Sequence, residues 1–340
     1  MSDLNIEEPE ALRRYLRATG RLAADEVTDF TVLPGGVSNR TVLVERPNGD
    51  AWVLKQALPK LRVAEDWFSD PARIHAEALG LIWLARLAPP GTTTPIVFED
   101  RDQHLLAMQA VAQPHENWKT RLLAGKLERD HCAQFGQMLG TIHRRSRELQ
   151  DEIAPVFSDR GFFESLRLEP YYRFSAARNP ATAAFFAELI NETMATRLTL
   201  VHGDYSPKNI LVQGDRLILL DHEVIHFGDP AFDLGFSLTH LLSKAHHVLA
   251  QRTACLQGAE WYWENYRQSA GEIPHLPGLE DRAVRHTLAC LLARVDGRSP
   301  LEYLTRPERD RQREIVLSML ADPPESVPGL IGEFGKKLNA

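Results

Sequence analysis

The sequence predicts an α+β chain in two lobes: a small antiparallel β-rich lobe over residues 1–113 and a larger, mainly helical lobe over residues 114–340. Three observations carry this. Short β-branched runs broken by Gly- and Pro-containing turns crowd the first hundred residues. Apolar residues at helical spacing dominate after residue 114. At 340 residues the chain is long enough for each lobe to have its own core.

In order, residues 8–19 carry Leu12, Tyr15 and Leu16 on one side of a short amphipathic helix. Residues 29–57 hold three β-branched runs, split by Pro34-Gly35-Gly36 and by Pro47-Asn48-Gly49-Asp50, which reads as strand, glycine loop, strand, hairpin, strand. A helix follows from Asp70 as N-cap and Pro71 at the first turn, with Ile74, Ala78, Leu81, Ile82 and Ala85 on its apolar side. Two more strands flank the turn Glu99-Asp100-Arg101-Asp102, and a linker lies near Gln113-Pro114. Helices are then expected over 128–146, 181–198, 231–267, 279–296 and 308–320, with a strand–loop–strand block over 199–221.

Composition sets outer limits. The chain is 44% hydrophobic and 25% charged, with a formal net charge of -7, which disfavours an extended nucleic-acid surface. That balance suits a cationic or neutral small-molecule substrate. Cys132, Cys255 and Cys290 are odd in number and far apart, as expected of reduced core residues in a cytoplasmic protein. The charged N-terminus has no apolar core of a secretory signal, and no run of 18 apolar residues predicts a membrane span.

The chemistry lies in residues 199–223, TLVHGDYSPKNILVQGDRLILLDHE. His202-x-Asp204 is followed by Asn209 five positions after the aspartate and by Asp221 twelve further on, with apolar strands between. Phosphoryl transfer explains the spacing. One aspartate meets the acceptor hydroxyl, a short loop brings an Asn oxygen to Mg²⁺, and a hairpin returns a second carboxylate to the same ions. Asp204 is thus the expected base, Asn209 and Asp221 the metal ligands, and His202 a support of the loop. Upstream, Gly35, Gly36, Ser38 and Asn39 form a glycine loop between strands, fitted to cover phosphates with backbone N–H groups. Lys55 lies on the third strand, Glu77 lies on the helix as its ion-pair partner, and the segment around Met108 and Ala110 offers backbone hydrogen bonds to adenine.

These residues carry a resemblance. HGDYSPKN (202–209) and GDPAFDLGF (228–236) are similar to the motifs of the aminoglycoside phosphotransferase and choline kinase superfamily, small-molecule kinases with a bilobal protein-kinase-like fold. The resemblance implies ATP and Mg²⁺ as cofactors, a nucleotide-binding first lobe, a catalytic and substrate-binding second lobe, and Asp233 as a brace of the catalytic loop. It also implies that LLARVDGRSPLEYL (291–304) shapes the acceptor pocket, with Arg294 and Asp296 as candidate contacts beside Glu223 and Trp67. A narrower likeness, Lys55-Gln56-Ala57-Leu58-Pro59 followed by Arg62, Trp67, Arg73 and Glu77, is to the methylthioribose kinases. That family carries Ser where Asn209 stands and Pro where His222 stands. The acceptor therefore stays open among methylthioribose-type sugars, aminoglycosides and amino alcohols. Lys208 and Arg40 are further candidates for phosphate contact.

Two other readings compete. A catalytically silent nucleotide-binding module of the same fold would be expected to lack some of Lys55, Asp204, Asn209 and Asp221, and all four are present. A zinc hydrolase is raised by His222-Glu223-Val224-Ile225-His226, which spells H-E-x-x-H. The segment follows the strand LILL and runs into Gly228-Asp229-Pro230, so no helix is expected there. Extended chain holds those histidines about 13 Å apart at ~3.3 Å per residue, too far for one zinc ion.

Overall fold

The computed structural model describes residues 4–34, 36–62 and 66–340. The chain divides into two compact units, Met1–Arg86 with Thr93–Gln113, and Leu87–Thr92 with Pro114–Ala340.

The first unit is built on one antiparallel sheet of β1 (Asp29–Val32), β2 (Asn39–Glu45), β3 (Ala51–Ala57), β4 (Ile96–Asp100) and β5 (Leu105–Gln109), in the order β1-β2-β3-β5-β4. The period of two along a strand divides its side chains between two helices. Trp52 and Leu54 of β3, with Leu105 and Ala107 of β5, pack under α1 (Pro9–Ala18) through Leu12 and Leu16. Ala57, Leu106 and Met108 point to the opposite face, where α2 (Arg73–Leu87) lays Ile74, Ala78 and Leu81. Leu54 is fully buried, so truncating it to alanine should cost about 2–5 kcal/mol. Asp70 departs from its expected role: it accepts the Ala72 N–H at 2.9 Å in a turn ahead of the helix, and α2 starts at Arg73.

The second unit is mostly helical: α3 (Trp118–Leu123), α4 (Arg129–Glu148), α5 (Ala183–Ala195), α6 (Pro230–His247), α7 (Arg252–Ser269), α8 (Leu279–Asp296), α9 (Arg306–Leu320) and α10 (Val327–Asn339). Two small antiparallel sheets accompany them: β6 (Glu116–Asn117) beside the hairpin β8 (Ile210–Gln213) and β9 (Arg216–Leu219), and β7 (Thr199–Val201) paired with β10 (His226–Gly228). The helical spacing expected over 231–267 resolves into α6 and α7, broken by a turn at Leu249–Gln251. α4 and α7 touch through glycine: a Cβ on Gly136 would stand 2.1 Å from the Tyr262 carbonyl oxygen. α6 begins where Asp229 accepts the Ala231 N–H at 3.0 Å and Pro230 fills the first turn, and its residues through His246 are all buried. Cys132, Cys255 and Cys290 are buried free thiols. Among the described residues no helix is long and apolar enough to cross a membrane.

Candidate active site

In the first unit, strand alternation turns Lys55 to the same face as Ala57, toward α2. There its Nζ lies 2.6 Å from Oε1 of the fully buried Glu77. Gly35 lies outside the described residues. At Gly36 an added Cβ would meet the Asn39 carbonyl oxygen at 3.1 Å, so the loop doubles back tightly. Ser38 and Asn39 are buried, and the Asn39 amide donates to Ser38 Oγ at 3.2 Å, inside the loop. The loop is pinned by Arg73, also fully buried, whose guanidinium donates to the carbonyls of Ser38, of Leu58 (2.9 Å) and of Asp70 (3.1 Å).

The remaining residues expected in this unit have defined surroundings. Met108 sits within β5 opposite Val53, with its side chain buried on the α2 face. The Ala110 N–H donates to the Ala51 carbonyl at 2.8 Å, so that donor extends the sheet and is not presented to a ligand. Arg40 reaches Gln56 Oε1 at 3.0 Å, and Arg62 pairs with Glu7 at 2.6 Å. Trp67 is half-buried, its carbonyl accepting the Leu61 N–H at 2.9 Å.

In the second unit, β7 delivers His202, Gly203 and Asp204 to a loop that Asp233 organises. Fully buried on α6, Asp233 accepts the backbone N–H of His202 at 2.7 Å and of Gly203 at 2.8 Å, and lies 3.3 Å from His143 Nε2 on α4. Burial pushes the Asp233 carboxyl up, but the His143 contact and the His202 backbone bond outweigh it and hold it below the usual range. Gly203 has φ +77°, and a Cβ there would stand 2.8 Å from Val224 Cγ2. His202 Nδ1 accepts the Asp204 N–H at 3.1 Å, so its proton rests on Nε2, 3.1 Å from His222 Nδ1. Burial lowers the His202 pKa against the pull of Asp233, Asp204 and Asp221.

Asp204 is paired with a residue that carried no motif signal. Arg167 Nη2 lies 3.0 Å from Asp204 Oδ2, and Arg167 Nε donates to the Gly203 carbonyl at 2.7 Å. Arg167 sits in Glu164–Arg173, a run of wide helical turns that accommodates Pro170. Its guanidinium is raised in pKa although burial opposes this, because Asp204, Tyr171, Glu223 and Asp221 surround it. Asn209 Nδ2 donates to the Asp204 carbonyl at 2.9 Å, and the Asn209 carbonyl accepts the Leu220 N–H at 2.9 Å. The β8–β9 register therefore puts Asn209 and Asp221 at the same end of one hairpin. Asp221 has φ +69°, a left-handed conformation that a non-glycine residue rarely adopts and that tends to mark functional sites.

The two oxygen donors suit Mg²⁺. Among the described residues no three His, Cys, Asp or Glu side chains converge on a metal position. Mg²⁺ commonly takes only one or two protein oxygens and completes its shell with phosphates and water. H-E-x-x-H lies on a turn and on β10, not on a helix. His226 Nδ1 lies 3.0 Å from the Val224 carbonyl oxygen, its ring stacks on Phe163, and burial pushes its pKa down to about 4.

Of the acceptor candidates, Glu223 is buried beside the catalytic loop. Arg294 packs against Tyr171 and Phe236, with Cζ 4.7 Å and 5.0 Å from the ring centroids. Asp296 faces elsewhere: Arg313 grips its carboxylate at 2.6 Å and 2.8 Å, and Asn179 adds a bond at 3.0 Å. It stands at a cavity of about 600 Å³ that Arg178, Arg306 and Arg309 also line. Lys208 is exposed, four positions after Asp204.

Comparison with known proteins agrees with this architecture. The pattern that defines the phosphotransferase enzyme family matches residues 29–269. A methylthioribose kinase of Pectobacterium atrosepticum is 26% identical over 263 residues, covering 64% of this chain and 65% of that protein. This chain thus spans just under two thirds of the length of that relative. Among solved structures, a choline kinase from Streptococcus pneumoniae superposes with TM-score 0.55 at 17% identity, covering 93% of this chain and 99% of the other. A Plasmodium vivax ethanolamine kinase gives 0.58 at 12% identity, with 95% and 91% covered. At such identities the likeness shows the protein-kinase-like fold alone.

Proposed function

The chain belongs to the phosphotransferase enzyme family, and from that premise we propose that it is a small-molecule kinase. It moves the γ-phosphate of ATP to a hydroxyl of a sugar-like metabolite. The observation that carries this is the Asp204 loop, with Arg167 on its carboxylate and with Asn209 and Asp221 delivered to one hairpin end. The 26% identity to a methylthioribose kinase favours a sugar hydroxyl.

Asp204 orients the hydroxyl and accepts its proton on the carboxylate oxygen that Arg167 does not hold. Arg167 fixes the rotamer of that carboxylate, and Asp233 fixes the backbone beneath it through the two N–H groups it binds. Lys55, kept in place by Glu77, contacts the nucleotide phosphates. Asn209 and Asp221 would hold Mg²⁺, which when bound neutralises charge on the transferring phosphoryl group. The transition state of such a transfer is loose, so positioning and charge contribute more than base strength. Since the Ala110 N–H already bonds Ala51, adenine would meet the carbonyl side of that residue.

The test is Asp204→Asn. Turnover with Mg·ATP and the acceptor is expected to fall by about 10²–10⁴-fold, while nucleotide affinity measured by calorimetry stays within a few-fold of wild type. A variant that keeps near wild-type turnover removes Asp204 from the chemistry.

A further inference from the structure

We propose that the phosphate acceptor carries an anionic group, a carboxylate or a phosphate, beside its reactive hydroxyl, and that Arg294, Lys244 and Lys119 bind it. This rests on the kinase reading and names the substrate class for the same site.

The cations form one wall of the second unit. Tyr171 and Phe236 stack with ring centroids 6.0 Å apart, and two guanidiniums lie against that pair: Arg167, which holds Asp204, and Arg294. Arg294 Nη2 donates to His240 Nε2 at 3.2 Å, and Nη1 to the Ser299 carbonyl at 2.9 Å; neither partner is anionic. One turn along α6 from His240, Lys244 is 1% exposed, and its ammonium donates to the His240 carbonyl at 3.1 Å. Lys244 and Lys119 flank the Tyr303 ring, at 5.5 Å and 5.9 Å from its centroid. His240 is surrounded by positive charge: beyond burial, Arg294, Lys244, Lys119 and Lys208 all push its pKa down. Lys208 belongs to the catalytic loop, so the wall adjoins Asp204 from that side too.

The negative charges at this wall are few. The charges that act most on Lys244 are those of Lys119, Arg294 and Glu302, whose carboxylate Lys119 already engages, beside the Cys255 thiol and the His240 carbonyl it bonds. Glu308, near Tyr303, is held by Thr305 and His247. A buried cation without a counter-ion costs free energy unless an anion arrives. Two buried donors also lack any partner, Arg294 Nε and the Tyr303 hydroxyl. Arg294 bonds the His240 ring, and Lys244 bonds the His240 carbonyl and lies 5.5 Å from the Tyr303 ring, so both open donors border the same pair of residues. Bound carboxylate or phosphate would satisfy the donors and the charge together. A quaternary ammonium or polyamine acceptor would meet repulsion at the same wall.

The experiment measures ADP formation with Mg·ATP for D-ribose, D-ribonate, D-ribose 5-phosphate and choline. At least one anionic compound is expected to exceed both ribose and choline by tenfold or more in kcat/KM. Ribonate and ribose 5-phosphate separate carboxylate from phosphate. Arg294→Gln and Lys244→Met should each raise KM for the preferred anion about tenfold or more, with a smaller change in kcat. Ribose or choline turned over as well as the anions overturns the proposal, as does an anion preference that survives both substitutions. Failure of the kinase reading itself would show differently, as no thermal shift with Mg²⁺ and a non-hydrolysable ATP analogue. In that event ribonate or ribose 5-phosphate should still raise the melting temperature of wild type and not of Arg294→Gln, and no shift in wild type sinks the anion site.

Discussion

Lys244 shows how a side chain's surroundings govern its chemistry. Burial and the neighbouring Lys119 and Arg294 charges push its pKa down to about 7, against the weaker pull of Cys255 and Glu302. Between pH 7 and the ordinary lysine value of 10.5 the folded chain therefore binds fewer protons at this site than the unfolded chain. This group's contribution to stability rises with pH across that window, and its full cost is present below pH 7. Lys244→Met should accordingly melt higher than wild type at pH 6, with the difference shrinking by pH 10. A difference independent of pH would show that Lys244 has the same pKa in the folded and the unfolded chain. Anion binding needs the charged form, so KM for an anionic acceptor should climb above pH 7 as the ammonium loses its proton.

The loop after β7 is tied to elements that are distant in sequence. Asp229 caps α6 and is held by Arg282 of α8 at 2.7 Å, while one turn later Asp233 reaches back to the loop after β7. Gly203 is where that loop can be broken with one methyl. Its left-handed backbone costs a non-glycine residue roughly 1–2 kcal/mol, and the Val224 methyl stands where the new Cβ would go. Gly203→Ala should lower the melting temperature and cut turnover, and Val224→Ala in the same chain should recover part of both. No recovery in the double variant would place the defect in the backbone conformation or in the Val224 carbonyl, 3.0 Å from the added Cβ. H-G-D rather than H-R-D at this loop follows from the same crowding: no longer side chain fits between Val224 and the turn.

For the molecule as a whole, net charge and the local charge at the site differ in sign. The chain is acidic by -7, a balance that suits a cationic or neutral substrate, yet the wall beside the catalytic loop is cationic. A local field outweighs the average over a surface. Metal dependence is the other property that belongs to the full chain. EDTA should abolish ATP-dependent turnover and added Mg²⁺ restore it. Asp221→Ala should remove the Mg²⁺-dependent part of ATP affinity; unchanged calorimetric affinity in that variant would take Asp221 out of the metal site. Both measurements use the intact protein.

Much of the site could be read from residue order because its parts sit on regular local elements. The period of two on β3 turns Lys55 toward α2, the 3.6 period of α2 puts Glu77 beside Ile74 and Ala78, and the β8–β9 hairpin returns Asp221 to Asn209. Each is a spacing rule, and spacing is visible in a sequence. The histidines of H-E-V-I-H could be set aside for the same reason, since the strand before them is a local signal. Arg167 on Asp204, His143 on Asp233 and Arg313 on Asp296 left no such trace. Their partners come from other elements through packing, and no periodicity along the chain encodes which arginine a buried aspartate will meet. The spacing along the chain thus pointed to a phosphotransferase, whereas packing chose the charges around Asp204 and Arg294, because an electric field is summed over neighbours in space and not over neighbours in sequence.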